Sequence, residues 1–404
     1  MKIKNLSPKK ILILILLLTT FLRLFRLDFP NKYIFDEVYH AFTAKEYLAW
    51  HKEAWEWWTT PPPGVAYEWT HPPLAKEIMA ISMFTLHSQD GWAWRLPGAL
   101  LGVLSVYIVY LLGIKLLNNQ LAALIAAFVF SIDGLNFVQS RTGMNDIYFV
   151  TFMLCSLLLL LNKKFLLSSI FLGLAISGKW AAVYTYLIIV PLILLYHKYL
   201  QILYFIAVPI IVYLIIYIPF FLQGHGLEQF IHLQQQMWWY HTNLKATHGY
   251  SSPWWSWPLN LYPVWYFVDY QKNNIANIFA SGNPVIFWLG FVSIALTSWE
   301  AVKKRSKNLM IILLGFFIFW LPWAISPRIM FLYHYSPSVP FMCLSLGYLL
   351  SSILKDRERQ KFLIILLTLC ILSFILIYPF LTAIPIPREM VKIFFSTNLG
   401  KNPF

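Results

Sequence analysis

Ile11-Leu12-Ile13-Leu14-Ile15-Leu16-Leu17-Leu18-Thr19-Thr20-Phe21-Leu22 runs without a charge into Arg23-Leu24-Phe25-Arg26, and the chain then reaches Phe35-Asp36-Glu37-Val38. About 18 or more consecutive apolar residues can cross the hydrocarbon of a bilayer as a helix, where every backbone polar group must be satisfied internally. The stretch therefore reads as a membrane span near 9–27, followed by two adjacent carboxylates. Acids beside a bilayer are costly to keep and usually mark function. No small-residue cleavage site follows the apolar run, so it reads as a retained anchor.

The pattern recurs along a chain of 404 residues that is 59% hydrophobic and 12% charged. Further spans are expected near 93–114, 119–138, 146–162, 165–180, 181–197, 200–222, 283–299, 308–326, 332–354 and 362–382. The expected fold class is an all-α polytopic membrane protein of about 11 transmembrane helices, forming one domain over residues 1–404. Short loops rich in Lys and Arg stay in the cytoplasm. Lys2, Lys4, Lys9 and Lys10, Lys115, Lys163 and Lys164, Lys198, Lys303 to Lys307, and Lys355 to Lys361 all fall on one side if the N-terminus is cytoplasmic. About half the basic residues are thus topology signals, and the formal charge of +14 needs no nucleic acid to explain it. Cys155, Cys343 and Cys370 lie within expected spans without metal or redox spacing, so they read as packing residues.

The polar chemistry gathers on the opposite side, in two long loops, 28–92 and 223–282, and two short segments, Arg141 to Asp146 and Pro327 to His334. Residues 36–50 read as an amphipathic helix in the interfacial plane, with Asp36 and Glu37 at its N-terminus, where the helix dipole favours a carboxylate. Helix capping is the bland alternative. His71-Pro72-Pro73-Leu74-Ala75-Lys76-Glu77 opens a second interfacial helix, proline suiting a first turn. Lys76 can meet a lipid phosphate or merely snorkel. Arg95 begins the next span, and Arg141 and Asp146 can form a structural salt bridge or serve a ligand. In Thr247 to Pro258, Trp254, Trp255 and Tyr250 read as an aromatic belt, a sugar platform or a peptide wall, with His248 beside them. Lys179, Arg328 and His334 add polar groups on the same side.

Six blocks in order, Phe35-Asp36-Glu37-Val38, His71-Pro72-Pro73-Leu74-Ala75-Lys76, Arg141 to Asp146, Gly178-Lys179-Trp180, Thr247 to Pro258, and Phe331-Leu332-Tyr333-His334-Tyr335, resemble the protein O-mannosyltransferase family. The likeness is to the dolichyl- or polyprenyl-phosphate-mannose type, in its compact bacterial branch, and it covers most of the chain. It implies the GT-C glycosyltransferase architecture, a polyprenyl-phosphate sugar as donor and a Ser or Thr hydroxyl of a protein as acceptor. It also implies that Asp36 is the general base beside Glu37, and that Arg23 and Arg95 serve the donor phosphate and the active site. Eukaryotic members carry a soluble MIR domain in the second large loop, for which 223–282 is too short. Tyr39 stands where many relatives have histidine, and Gly249 where many have proline. The low cysteine count and the absence of the soluble domain lean towards a bacterial plasma (inner) membrane, with the active site expected to be extracytoplasmic. Oligomeric state is not legible.

The expected roles follow. Asp36 accepts the hydroxyl proton, with Glu37 setting local geometry. Arg23, Lys76, Arg95, Arg141, Lys179 and Arg328 are the candidates for the donor phosphate and lipid. His71, Asp146, His248, Tyr250, Trp254, Trp255 and His334 are the candidates for substrate contacts. No metal site is expected. A divalent cation (Mg or Mn) held by Asp36 and Asp146 with the donor phosphate is left open, because no spacing demands it. Two rivals stand beside this reading: a GT-C transferase acting on a lipid or glycan, as aminoarabinose or arabinose transferases do, and a transporter or flippase. A transporter predicts mid-membrane polar sites and related halves, and neither is evident.

Overall fold

Apolar runs become helices, and they dominate the computed structural model, which describes residues 7–352 and 357–395. Lys2, Lys4 and Lys355 lie outside the described residues. The helices are α1 (Pro8–Leu24), α2 (His40–Leu48), α3 (Leu74–Thr85), α4 (Gly91–Leu117), α5 (Gln120–Ser131), α6 (Gly134–Arg141), α7 (Asp146–Leu161), α8 (Phe165–Gly178) and α9 (Tyr186–Leu195). After them come α10 (Ile202–Ile216), α11 (Ile218–Leu222), α12 (Leu227–Asn243), α13 (Pro284–Lys304), α14 (Lys307–Trp320), α15 (Val339–Ser352), α16 (Arg357–Leu381) and α17 (Arg388–Phe395). The chain is a mostly helical, multi-pass membrane protein. Many helices carry apolar side chains outward: on α10 only Phe205 and Pro209 are buried, while Ile206, Ile210, Ile211 and Ile215 are exposed. In water such a surface would aggregate; in a bilayer it is the solvated face.

By length and apolar composition, five helices among the described residues suffice to cross a membrane, or six if a bent pair counts as one. Eleven expected spans thus exceed the uninterrupted helices, and particular residues explain the shortfall. The run at 119–138 breaks into α5 and α6, bent by 58°, where Asp133 accepts from Asn136 N at 2.8 Å and caps α6. The two runs at 165–180 and 181–197 turn at Lys179 as expected, but α8 is 14 residues long and α9, after the 3₁₀ stretch Trp180–Thr185, is 10. The run at 332–354 begins as a 3₁₀ stretch, Leu332–Ser338, containing Pro337, before α15.

Close helix packing at the centre depends on small residues. A Cβ on Gly347 of α15 would lie 2.4 Å from the Ala122 carbonyl and 2.9 Å from the Ala126 Cβ of α5. Gly347→Ala is therefore expected to destabilise the protein by about 1–3 kcal/mol through overpacking. A thermal unfolding midpoint equal to wild type in detergent would contradict this close approach. The three cysteines are buried and free.

The two helices expected in the first long loop are present as a 3₁₀ turn, Phe35–Val38, leading into α2, and as α3. Sequence reading missed an antiparallel sheet in the second long loop, β1 (Val264–Tyr270) and β2 (Asn274–Ala280), joined by β3 (Ile386–Pro387) in the order β1-β2-β3. Val264 pairs with Ala280 and Tyr270 with Ile275. The two long loops meet at one end of the helices. Phe35 stacks on Tyr266 of β1 at 4.1 Å, and His241 of α12 reaches the Thr70 carbonyl at 2.7 Å.

Candidate active site

Asp36 follows a strained residue: Phe35 has φ +45°, a left-handed conformation that costs a non-glycine residue of order 1 kcal/mol or more. The Phe35–Tyr266 stack holds that turn against the sheet. Asp36 thereby reaches the wall of a cavity of about 1050 Å³. Burial pushes its carboxyl up to about 7, with Glu68 and Asp146 raising it and Lys179 opposing. A carboxylate titrating near neutrality is matched to accepting a proton at physiological pH.

The cavity has two kinds of wall. Asp36, Asn145, Asp146, Lys179, His71, His241, Arg328 and His334 supply its polar lining. Val183, Tyr184, Ile210, Leu214 and Trp238 line it too, and each is also exposed. Side chains of the helices' outer, largely apolar surface therefore form part of the cavity wall. Several buried polar atoms of its lining residues have no partner among the described residues: Asn145 Nδ2, Asp146 Oδ2, Gln234 Nε2 and Arg328 Nε. Buried polar atoms are nearly always satisfied, so such a cluster points to a polar ligand.

Lys179 and Arg328 are the cations of this wall. The Lys179 ammonium donates to Asp146 at 2.8 Å, so Asp146 pairs with Lys179 rather than with Arg141. Lys179 sits there because α8 ends one residue earlier. Arg328 Nη1 donates to His241 Nδ1 at 2.5 Å. Burial, then Arg328, holds His241 down to about 4, and burial holds His71 well below the usual imidazole range, so both rings are neutral.

Four other cations expected at the donor phosphate do not line the cavity and donate to other groups of the protein, although the buried Arg23 Nη2 has no partner among the described residues. Arg95 makes two 2.7 Å bonds to Glu37 and donates to the Leu27, Pro30 and Lys32 carbonyls. Arg141 donates to the carbonyls of Leu22, Arg23, Phe25 and Arg26, satisfying the last turn of α1. Arg23 donates to Ser140 Oγ and the Ser131 carbonyl. Lys76 is held at 2.6 Å by Glu68, and also donates to the Glu68 and His71 carbonyls. Each is fully or nearly fully buried, and a buried cation takes whatever acceptors its surroundings provide.

Glu37, placed beside Asp36 by sequence, points away from the cavity. It accepts from Arg95, Ile34 N and Gly143 N, tying the first loop to α4 and to the turn between α6 and α7. His248 lines a second cavity of about 700 Å³, which shares Arg328 with the first. Tyr250, Trp254 and Trp255 line neither of these cavities. Tyr250 meets Trp265 edge-on, Trp254 packs on Trp320, and Trp255 is exposed. Sequence reading did not single out His40, Glu68, Asn145, Gln234 and His241, although His40 lies in the helix expected at 36–50 and Asn145 in the Arg141 to Asp146 segment. Among the described residues no group of three or more His, Cys, Asp or Glu side chains is placed to hold a metal ion.

Comparison with known proteins bears on the family and the fold. Residues 13–224 match the family of dolichyl-phosphate-mannose-protein mannosyltransferases, and residues 226–394 match the C-terminal four TMM region of protein-O-mannosyltransferase. A polyprenol-phosphate-mannose–protein mannosyltransferase of Mycobacterium tuberculosis is 24% identical, over 92% of this chain and 87% of its own length. Among solved structures, the S. cerevisiae protein O-mannosyltransferase Pmt1-Pmt2 complex bound to the sugar donor has a TM-score of 0.80 at 15% identity, covering 97% of this chain and 92% of that one. ArnT from Cupriavidus metallidurans bound to undecaprenyl phosphate has a TM-score of 0.60 at 17% identity, over 88% of this chain and 61% of that one. These likenesses carry the fold, while the family match spans more than half of the 404 residues. The protein belongs to the dolichyl-phosphate-mannose-protein mannosyltransferase family and is a membrane glycosyltransferase of the GT-C class.

Proposed function

We propose that this chain transfers a mannosyl residue from a polyprenyl-phosphate donor to Ser or Thr hydroxyls of proteins, on the extracytoplasmic face of a plasma membrane, with its N-terminus cytoplasmic. The observation carrying this reading is the mixed lining of the cavity. Its polar side chains suit a phosphate and a sugar, and its exposed apolar ones suit an isoprenoid chain. The names of the mycobacterial relative and of the donor-bound yeast structure support the same substrates.

In this reading Lys179 and Arg328 neutralise the donor phosphate, and Asn145 and Asp146 meet sugar hydroxyls. The acceptor hydroxyl, oriented beside Asp36, attacks the anomeric carbon as the bond from that carbon to the phosphate oxygen breaks. Its proton passes to the Asp36 carboxylate, and the electron pair leaves with the polyprenyl phosphate. One displacement inverts the anomeric centre. Positioning and charge stabilisation carry most of the acceleration, because the phosphate already leaves well. No step is routed through a metal; the ammonium of Lys179 already supplies positive charge beside Asp146.

Two measurements check the reading. Membranes supplied with labelled polyprenyl-phosphate mannose are expected to place the label in protein; label confined to lipid would replace this function with that of a lipid-glycosylating GT-C enzyme. Activity should also follow the ionisation of Asp36. Only the carboxylate accepts a proton, so kcat/KM is expected to rise about tenfold per pH unit below the value of about 7 and to level off above it. A flat profile between about pH 5 and 8 would remove Asp36 as the base.

A further inference from the structure

We propose that His241 is a positioning residue, which aims the Arg328 guanidinium at the donor phosphate and ties it to the buried Glu68–Lys76 pair. The inference rests on the reading of Arg328 as a phosphate ligand.

Arg328 lies in an irregular stretch between two 3₁₀ segments, Leu321–Ile325 and Leu332–Ser338, so no regular backbone pairing fixes it. What holds its side chain is His241, at 2.5 Å from Nη1 to Nδ1. A guanidinium can only donate, so Nδ1 is the acceptor. The other ring nitrogen, Nε2, sits 2.7 Å from the Thr70 carbonyl, which can only accept, so Nε2 carries the hydrogen. The two partners thus select one neutral tautomer, and the ring stacks on His71 at 4.9 Å.

The network continues inward. Thr70 donates from N to Glu68 Oε1 at 3.1 Å, and from its hydroxyl to the same oxygen. Glu68 Oε2 holds the Lys76 ammonium at 2.6 Å. A path of hydrogen bonds therefore runs from α3 through the first loop to a cation shared by both cavities. Lys76 influences the donor site through this path, without touching the phosphate. Preordering Arg328 removes rotamer freedom that donor binding would otherwise have to take away.

The test is a double-mutant cycle on the full-length protein, with purified polyprenyl-phosphate mannose and saturating acceptor peptide. His241→Phe keeps the ring and its stack but loses both hydrogen bonds. It is expected to raise the donor KM about tenfold or more with a smaller change in kcat, the scale of one charge-assisted hydrogen bond. His241→Gln, which keeps an acceptor and a donor, should recover part of that loss, a recovery that a merely structural role would not produce. In an Arg328→Gln background, His241→Phe should have no further effect on KM. Additive effects of the two substitutions would overturn the proposal while leaving Arg328 as a phosphate ligand. An unchanged donor KM in Arg328→Gln alone would overturn the phosphate reading, and the proposal with it.

Discussion

Replacing Asp36 by Asn is expected to lower transfer by roughly 100- to 10,000-fold, the usual loss on removing a positioned base. The reason is positional as much as chemical. Asp36 is the carboxyl that the strained Phe35 turn presents to the cavity, near Lys179 and Asp146. Asn nearly preserves its size, so the variant should remain in membranes with its unfolding midpoint unchanged and should still bind undecaprenyl phosphate. Loss of turnover with binding retained separates a base from a binding group. Turnover near wild type would mean that proton transfer is handled elsewhere.

Arg95→Leu is expected to act in the opposite way, through stability. It leaves Glu37, which is fully buried, with no cationic partner. Breaking one side of a buried ion pair typically costs about 3–5 kcal/mol. The Leu27, Pro30 and Lys32 carbonyls lose their donor in the same step. The unfolding midpoint in detergent should fall sharply, and yield with it. Adding Glu37→Gln to Arg95→Leu removes the stranded charge and should restore part of the midpoint. A stable, inactive single variant would instead place Arg95 at the donor after all.

These two predictions mark what sequence could and could not disclose. Asp36 and Glu37 are neighbours in a short motif, yet one faces the cavity and the other a buried arginine 58 positions away in sequence. Helical and 3₁₀ geometry turns adjacent side chains in different directions, and only the tertiary surroundings say which direction is the ligand's. Lys76, Arg95 and Arg141 were legible as outer cations but not as satisfied ones, since their acceptors are backbone carbonyls and carboxylates remote in sequence. Lys179 was legible because a lysine between two apolar runs has nowhere else to go. The hairpin of β1 and β2 has the aromatic and β-branched run Val264-Trp265-Tyr266-Phe267-Val268 as its signal. Beside so many membrane helices that run read as one more apolar loop segment. His241 had no local signal, being one of many polar residues along α12, whose Trp238 and Trp239 are exposed.

The most direct test is a structure of the protein with a non-hydrolysable polyprenyl-phosphonate mannose. The account predicts phosphonate oxygens at charge-assisted hydrogen-bond distance, about 2.7–2.9 Å, from Lys179 or Arg328, with the Asp36 carboxylate beside the anomeric carbon and the isoprenoid leaving past Ile210 and Trp238. A phosphonate seated instead on Lys76, Arg95 or Arg141, with Asp36 remote from the sugar, would contradict it.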